Sequence, residues 1–208
     1  MKKLVSLLVL VLAVNTMATT IQITEWMYKG TNGEFIEFTN VGSTAVDMTG
    51  WSYSDTDRMP GDLDLSAFGM IAPGQSVILT DTAVSTFKTA WNLGTAVKII
   101  GSNSNSNLGR ADEIHLYNAT GIEVDSLIFD DQTGKGPRTE NKSCTIPQAD
   151  FALTTASSSW ALSAVGVNGS WKSSGNDIGN PGYNNYTIPE PATLIILGIA
   201  AAILRIKK

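Results

Sequence analysis

Residues 33–55, GEFIEFTNVGSTAVDMTGWSYSD, constrain the fold more than any other part of the chain. In the first eight, Ile36 and Phe38 alternate with Glu37 and Thr39, the two-residue period of a half-buried strand. Gly42 follows in a polar turn, where a residue free of a side chain can take the positive φ that a branched one resists. Ala45-Val46-Asp47-Met48 then runs on as a second strand, Gly50 breaks it, and Trp51-Ser52-Tyr53-Ser54 starts a third. No helix accommodates this density of turns. Two bulky aromatics beside them suit the corner of a β-sandwich core.

The rest of the chain repeats this grammar. Residues 20–28 read as a first strand, with Ile21, Ile23 and Met27 sharing a face with Glu25; an acid there must sit at the strand's end or have a partner. Pro73-Gly74 reads as a type II turn before a central strand, residues 77–80. Asp81 or Thr82 is placed to cap a short helix running to Trp91, with Val84, Phe87, Lys88 and Trp91 at three-to-four spacing. Phe87 and Trp91 are expected to close one end of the sandwich. Residues 97–100 form another strand, and residues 101–109, GSNSNSNLG, a mobile polar loop. Residues 112–117 and 122–129 read as a hairpin turning at Gly121, with Ile114 and Leu116 inward and Glu113, His115 and Tyr117 facing solvent. A weak strand carrying Pro147, a segment bearing Trp160 and a long polar stretch to Gly182 complete the body.

These pieces resemble the lamin-tail domain, an immunoglobulin-like β-sandwich. That family tends to read I-x-E near its start, then G-E-(F/Y)-I-E-(L/F), a turn, and G-W-x-(L/Y)-S-D. Ile23-Thr24-Glu25, residues 33–38 and residues 50–55 match these in order. Pro73-Gly74 with residues 77–81 matches the family's P-G-x-x-h-h-L-T-D run, where h is apolar, and the later hairpin matches its next two strands. Gly179-Asn180-Pro181-Gly182 resembles the closing G-T-P-G, with Asn180 in place of Thr. The resemblance spans residues 21–185. It implies an all-β fold, an immunoglobulin-like β-sandwich of lamin-tail type with one short helix, and says little about activity.

Both ends read as processing segments. Residues 1–18 form a secretory signal, expected to be helical: Lys2 and Lys3 precede an apolar run, and Thr16-Met17-Ala18 gives a small-x-small site, so cleavage is expected between Ala18 and Thr19. Residues 19–186 then form the sandwich domain. Residues 187–208 carry Pro189-Glu190-Pro191, an apolar run from Ala192 to Leu204, and Arg205, Lys207 and Lys208. As a transmembrane helix that run reaches about 20 Å, short of a hydrocarbon core of about 30 Å. This segment resembles the PEP-CTERM sorting signal of Gram-negative bacteria. The resemblance implies processing by an exosortase near the triplet, a membrane-anchored intermediate, and final display at the cell surface or outside it. A plain tail anchor gives the same topology.

Charge narrows the partners. The chain carries 14 basic and 19 acidic residues, a net charge of −5. The two terminal segments, 1–18 and 192–208, hold five of the bases and none of the acids, which leaves the remainder at 9 against 19, or −10. Such a surface repels phosphate backbones, so no nucleic-acid partner is expected. The single cysteine, Cys144, permits no internal disulfide and reads as an inert core residue. Four N-x-S/T sequons, at Asn118, Asn141, Asn168 and Asn185, read as chance in a chain rich in Asn, Ser and Thr.

Chemistry is sparse. Asp55, Asp57, Asp62 and Asp64 form two D-x-D pairs around a Pro-Gly turn, candidate calcium ligands if not simply a solvated acidic loop beside Arg58. The sole histidine, His115, has no nucleophile-elbow context, and no zinc-protease motif or phosphate loop occurs. Two acids suffice for a glycosidase, but nothing marks out two of the nineteen. The reading is a non-catalytic exported surface protein without a cofactor, contacting matrix polysaccharide or protein. A calcium-dependent carbohydrate-binding module and a cryptic extracellular hydrolase are the alternatives.

Overall fold

The computed structural model describes residues 21–104, 107–153 and 157–186. In chain order the elements are β1 (Ile21–Met27), β2 (Phe35–Asn40), β3 (Val46–Asp47), β4 (Ser52–Ser54), β5 (Leu63–Asp64), β6 (Met70–Ile71), β7 (Ser76–Thr80), α1 (Val84–Trp91), β8 (Lys98–Ile100), β9 (Ala111–Tyr117), β10 (Glu123–Asp130), β11 (Cys144–Thr145), β12 (Ala161–Leu162), β13 (Trp171–Lys172) and β14 (Ile178–Gly179). Short 3₁₀ turns lie at Ser66–Phe68, Gln148–Leu153 and Ser157–Ser159.

Two sheets carry the body. The larger has the order β12-β11-β1-β2-β7-β8, the smaller β10-β9-β4-β5. Their facing sides meet in one core: Ile21, Ile23, Trp26, Ile36, Phe38, Val77 and Leu79 from the larger sheet, Tyr53, Ile114, Leu116, Leu127 and Phe129 from the smaller. Trp26 and Phe129 join them most closely, with ring centroids 4.0 Å apart. β8 pairs with β7 in parallel. A parallel neighbour needs a crossover, and α1 supplies it.

The helix falls where its spacing predicts, but its cap differs. Ala83 occupies the N-cap and no side chain caps the helix. Asp81 instead accepts the Glu34 backbone N–H at 3.0 Å. Phe87 and Trp91 are fully buried, yet they do not plug the end of the sandwich. They pack with Met27, Phe35, Ile78 and Ala90 as a second core on the outer face of the large sheet.

That second layer overturns the half-buried reading of residues 33–40. Every residue of β2 is buried, Glu37 and Thr39 included. The other surprise is a bulge in β1. Ile23 pairs with Phe38 and Glu25 with Glu37, so Thr24 is an extra residue. The bulge moves Glu25 and Met27 to the outer face and gives the inner face to Trp26 and Tyr28. The outer face of the sheet therefore has two halves. Met27, Phe35 and Ile78 form an apolar half under α1; Thr24, Glu25, Glu37, Thr39 and Ser76 form a polar half under the closing segment near residue 180.

The polar loop at residues 101–109 is pinned at both ends. Ser102 and Asn103 donate backbone N–H groups to Thr82 and Thr80, and Leu108 donates to Glu34 Oε2 at 2.8 Å. Cys144 is buried in the main core, and burial pushes its thiol up, as an inert cysteine requires.

Candidate functional site

Three clusters of titratable groups bear on the expected sites. The first is the acidic loop between β4 and β5. Carboxylate oxygens of Asp55, Asp57 and Asp62 gather within 4.8 Å of one another. Asp64 does not join them, which corrects the four-residue grouping. It lies on β5 and turns to the residue after that strand: its Oδ1 accepts the Ser66 hydroxyl at 2.5 Å and the Ser66 backbone N–H at 2.8 Å. Those bonds hold its carboxyl below the usual range. Asp57 and Asp62 are exposed and Asp55 half-buried. Three carboxylates from one loop suit a hard oxygen-seeking cation, but calcium needs six to eight oxygens and would draw the rest from backbone and water. Arg58 does not neutralise the loop: at φ 51° it reaches across to Glu113, with Nη2 2.6 Å from Oε1.

The second cluster surrounds His115, and here the solvent-facing expectation fails. The side chain is on the outer face of the small sheet, as alternation predicts, but it is 3% exposed. Long neighbours cover it. Nδ1 lies 2.6 Å from Glu123 Oε2 and Nε2 2.8 Å from Glu113 Oε2, while the Tyr117 ring stacks beside it. Tyr117 is buried too. Each ring nitrogen faces a carboxylate oxygen, and the Arg58 pair pulls Glu113 below the usual carboxylate range. Among the described residues both hydrogen-bond partners of this ring are carboxylates, neither a hydroxyl nor a thiol, so the cluster ties two strands and a loop together rather than activating a nucleophile.

The third cluster could not be read from the residues. Glu25 and Glu37 sit opposite each other across β1 and β2, each 1% exposed. Glu25 Oε1 accepts from the Ser143 hydroxyl and from the Asn180 backbone N–H at 2.8 Å. Glu37 Oε1 accepts from Thr24 at 2.8 Å, and its Oε2 accepts the Gly182 N–H at 2.7 Å. Thr39 bridges Thr24 and Ser76 at 2.7 Å on each side. Burial pushes both carboxyls above the ordinary range, and for Glu25 the charge of Glu37 adds to it. Gly179-Asn180-Pro181-Gly182, seen in the sequence only as a closing motif, is the strap that seals this pair.

Beside the strap opens a pocket of about 270 Å³, lined by residues of β11 and the turn after it and by Asn168, Asn180, Asn184, Asn185 and Tyr186. Its lining carries amides, hydroxyls and an aromatic ring but no charged group.

The terminal expectations fall elsewhere. Ala18, Thr19, Pro189, Glu190, Pro191, Arg205, Lys207 and Lys208 lie outside the described residues, as do both terminal helices. Among the described residues no helix is long and apolar enough to cross a membrane.

Comparison with known families adds one positive finding. The family model for the Lamin Tail Domain matches residues 15–130, more than half of the chain. No curated protein matches the chain. The matched span ends with β10; β11 and β12 beyond it extend the large sheet, and the strap caps its outer face.

Proposed function

The chain belongs to the lamin tail domain family, and on that premise we propose that it is a non-catalytic module, exported and sorted by an exosortase-type system through residues 187–208, that contacts extracellular polysaccharide or protein at the cell surface. One observation carries the non-catalytic part. The two carboxylates that the fold pairs across neighbouring strands, Glu25 and Glu37, are each 1% exposed and roofed by backbone N–H groups of Asn180 and Gly182. A catalytic pair must reach substrate and water; this pair holds a strap. The sorting part is supported by the residues at the two ends, and the acidic balance of the body argues against nucleic acid.

Cell fractionation tests this reading. The full chain is expected in the envelope or surface fraction, and a chain truncated before Pro189 in the medium. Full-length protein in the cytoplasm, or a truncated chain still held on cells, contradicts it.

A second reading has its own observation, the gathering of Asp55, Asp57 and Asp62. In it the loop binds calcium and the module recognises carbohydrate only when loaded. A ligand that binds the native state alone raises its melting temperature, so melts with calcium and with chelator separate the two.

A further inference from the structure

We propose that the amide-lined pocket beside the strap binds a neutral, polyhydroxylated ligand, a single ring or chain end of an uncharged glycan; this assigns a site to the surface-contact function proposed above and rests on it. The pocket is built in two tiers. Its inner amides are spent on the fold. Asn180 Nδ2 donates to the backbone carbonyls of Asn168 (3.3 Å) and Tyr183 (3.0 Å), and Asn184 Nδ2 donates to Gly74 O (2.9 Å) and Ser76 Oγ (3.0 Å). These bonds fasten the walls to one another and, through Ser76 of β7, to the large sheet. The Tyr186 hydroxyl donates to Ile146 O at 3.2 Å, and its ring packs edge-on against Phe151 with centroids 4.7 Å apart. A site fastened in this way loses little freedom when a ligand enters.

The outer amides are not spent. Asn168 and Asn185 are exposed on the rim, and their side chains make no hydrogen bond among the described residues. Asn168 holds φ 50° and the adjacent Gly169 φ 79°, with Tyr183 packed so tightly over Gly169 that an added Cβ would lie 2.1 Å from its ring. The turn that carries the Asn168 amide is therefore fixed. A carboxamide offers two donors and an acceptor in one plane, which matches a sugar hydroxyl that both gives and takes.

Charge and size select within the polyols. No lining residue is charged, and the whole chain carries −5, so anionic sugars meet repulsion and no counter-charge. The volume, about 270 Å³, lies just under the small end of ligand pockets, about 300 Å³, room for one ring rather than a buried chain.

The test is titration calorimetry on the full chain in detergent, with cellohexaose and mannohexaose as neutral probes and polygalacturonate as the anionic one. The comparison protein is Asn168→Gly/Asn185→Ala, whose melting temperature is expected to match wild type because glycine keeps the φ of 50° at residue 168 and those amides bond to nothing in the described fold. Binding of a neutral probe that weakens at least tenfold in the double variant supports the assignment. Equal binding in both proteins overturns the pocket while leaving the surface-contact function standing. Binding of polygalacturonate alone, or of no probe, overturns the ligand class. Fractionation of cells then judges the surface function separately, since localisation does not require the rim amides.

Discussion

Glu25 and Glu37 are cross-strand partners whose carboxyls share a dry face of the large sheet, each anchoring the closing strap through a backbone N–H, Glu25 at Asn180 and Glu37 at Gly182. Two like charges taken out of water side by side are costly, and burial raises both carboxyls above the ordinary range, which favours their protonated forms. The strap and the pH response of the protein are thereby linked.

The sign of that response follows from proton counting. In the unfolded chain these acids titrate at about 4.3. In the native chain burial holds Glu25 and Glu37 above the ordinary range, and burial with the nearby Asp81 and Asp112 raises Glu34 to about 8 against the Leu108 N–H. As pH rises above about 4.3 the native state binds more protons than the unfolded one, so stability falls until the native groups titrate, for Glu34 at about 8. Surface acids such as Glu113, held low by Arg58, act oppositely and lose their contribution only at lower pH. Thermal melts should therefore show greater stability near pH 5 than near pH 8. Glu37→Gln should flatten the slope and raise stability at pH 8 by on the order of 2 kcal/mol. An unchanged slope in this variant would mean that Glu37 is ionised in the native state.

Trp91 tests whether the outer core is part of the folding unit. It is fully buried, edge-on to Phe35 at 5.8 Å and to Trp171 at 6.0 Å. Trp91→Ala should cost about 3–5 kcal/mol in a urea melt. A loss below about 1 kcal/mol, under the usual cost of such a truncation, would show that α1 packs loosely and that the sandwich stands without it.

Gly33 makes a different demand. It holds φ 93°, and a Cβ there would lie 1.9 Å from Thr82 Oγ1 and 2.3 Å from Asp81 Oδ1. The glycine at the head of GEFIEF is thus required for the chain to enter β2 beneath residues 81–82. Gly33→Ala should destabilise by about 2–3 kcal/mol, measured as a shift in denaturant midpoint with an unchanged slope.

The same position shows what was legible in the residues and what was not. Gly33, the alternation of residues 35–40, the Pro73-Gly74 turn and the β9–β10 hairpin are local signals. The structure carries each of them, with Gly74 at φ 74°. The position of α1 was local too. Exposure was not. Glu37 and His115 sit on the outward faces that alternation assigns, but alternation cannot say that a second layer covers one and three long side chains the other. The Glu25–Glu37 pair was hidden for a further reason. Ile21, Ile23, Glu25 and Met27 read as one regular face, and the bulge at Thr24 that breaks it leaves no mark in composition. Its lid comes from residues 180–182, about 145 positions later in the chain, beyond the reach of any local pattern.

Calcium gives a sharper outcome for the acidic loop. If the loop binds the ion, millimolar calcium should raise the melting temperature relative to chelator, and Asp57→Asn should abolish the difference while leaving the chelated melt unchanged, because Asp57 is exposed. Asp64→Asn should keep the calcium shift, since that carboxylate is turned toward Ser66. Identical melts with calcium and chelator in wild type would leave Asp55, Asp57 and Asp62 as a solvated acidic turn.

The bulge yields the least intuitive expectation. Deleting one residue from a buried strand ordinarily reverses every side chain beyond it. Removing Thr24 should not. Ile23 already pairs with Phe38 and Glu25 with the adjacent Glu37, so the deletion joins two correct registers and leaves Ile21, Ile23, Trp26 and Tyr28 on the inner face. What is lost is the Thr24 hydroxyl, which donates to Glu37 and bonds Thr39, together with the weak backbone bond from Ile146. The deleted chain should therefore fold, with Trp26 still shielded from a fluorescence quencher, at a cost of about 1–3 kcal/mol for the unsatisfied acceptor it leaves. Exposure of Trp26 in that variant would mean that the bulge does more than absorb an extra residue, and that the register of β1 depends on Thr24 itself.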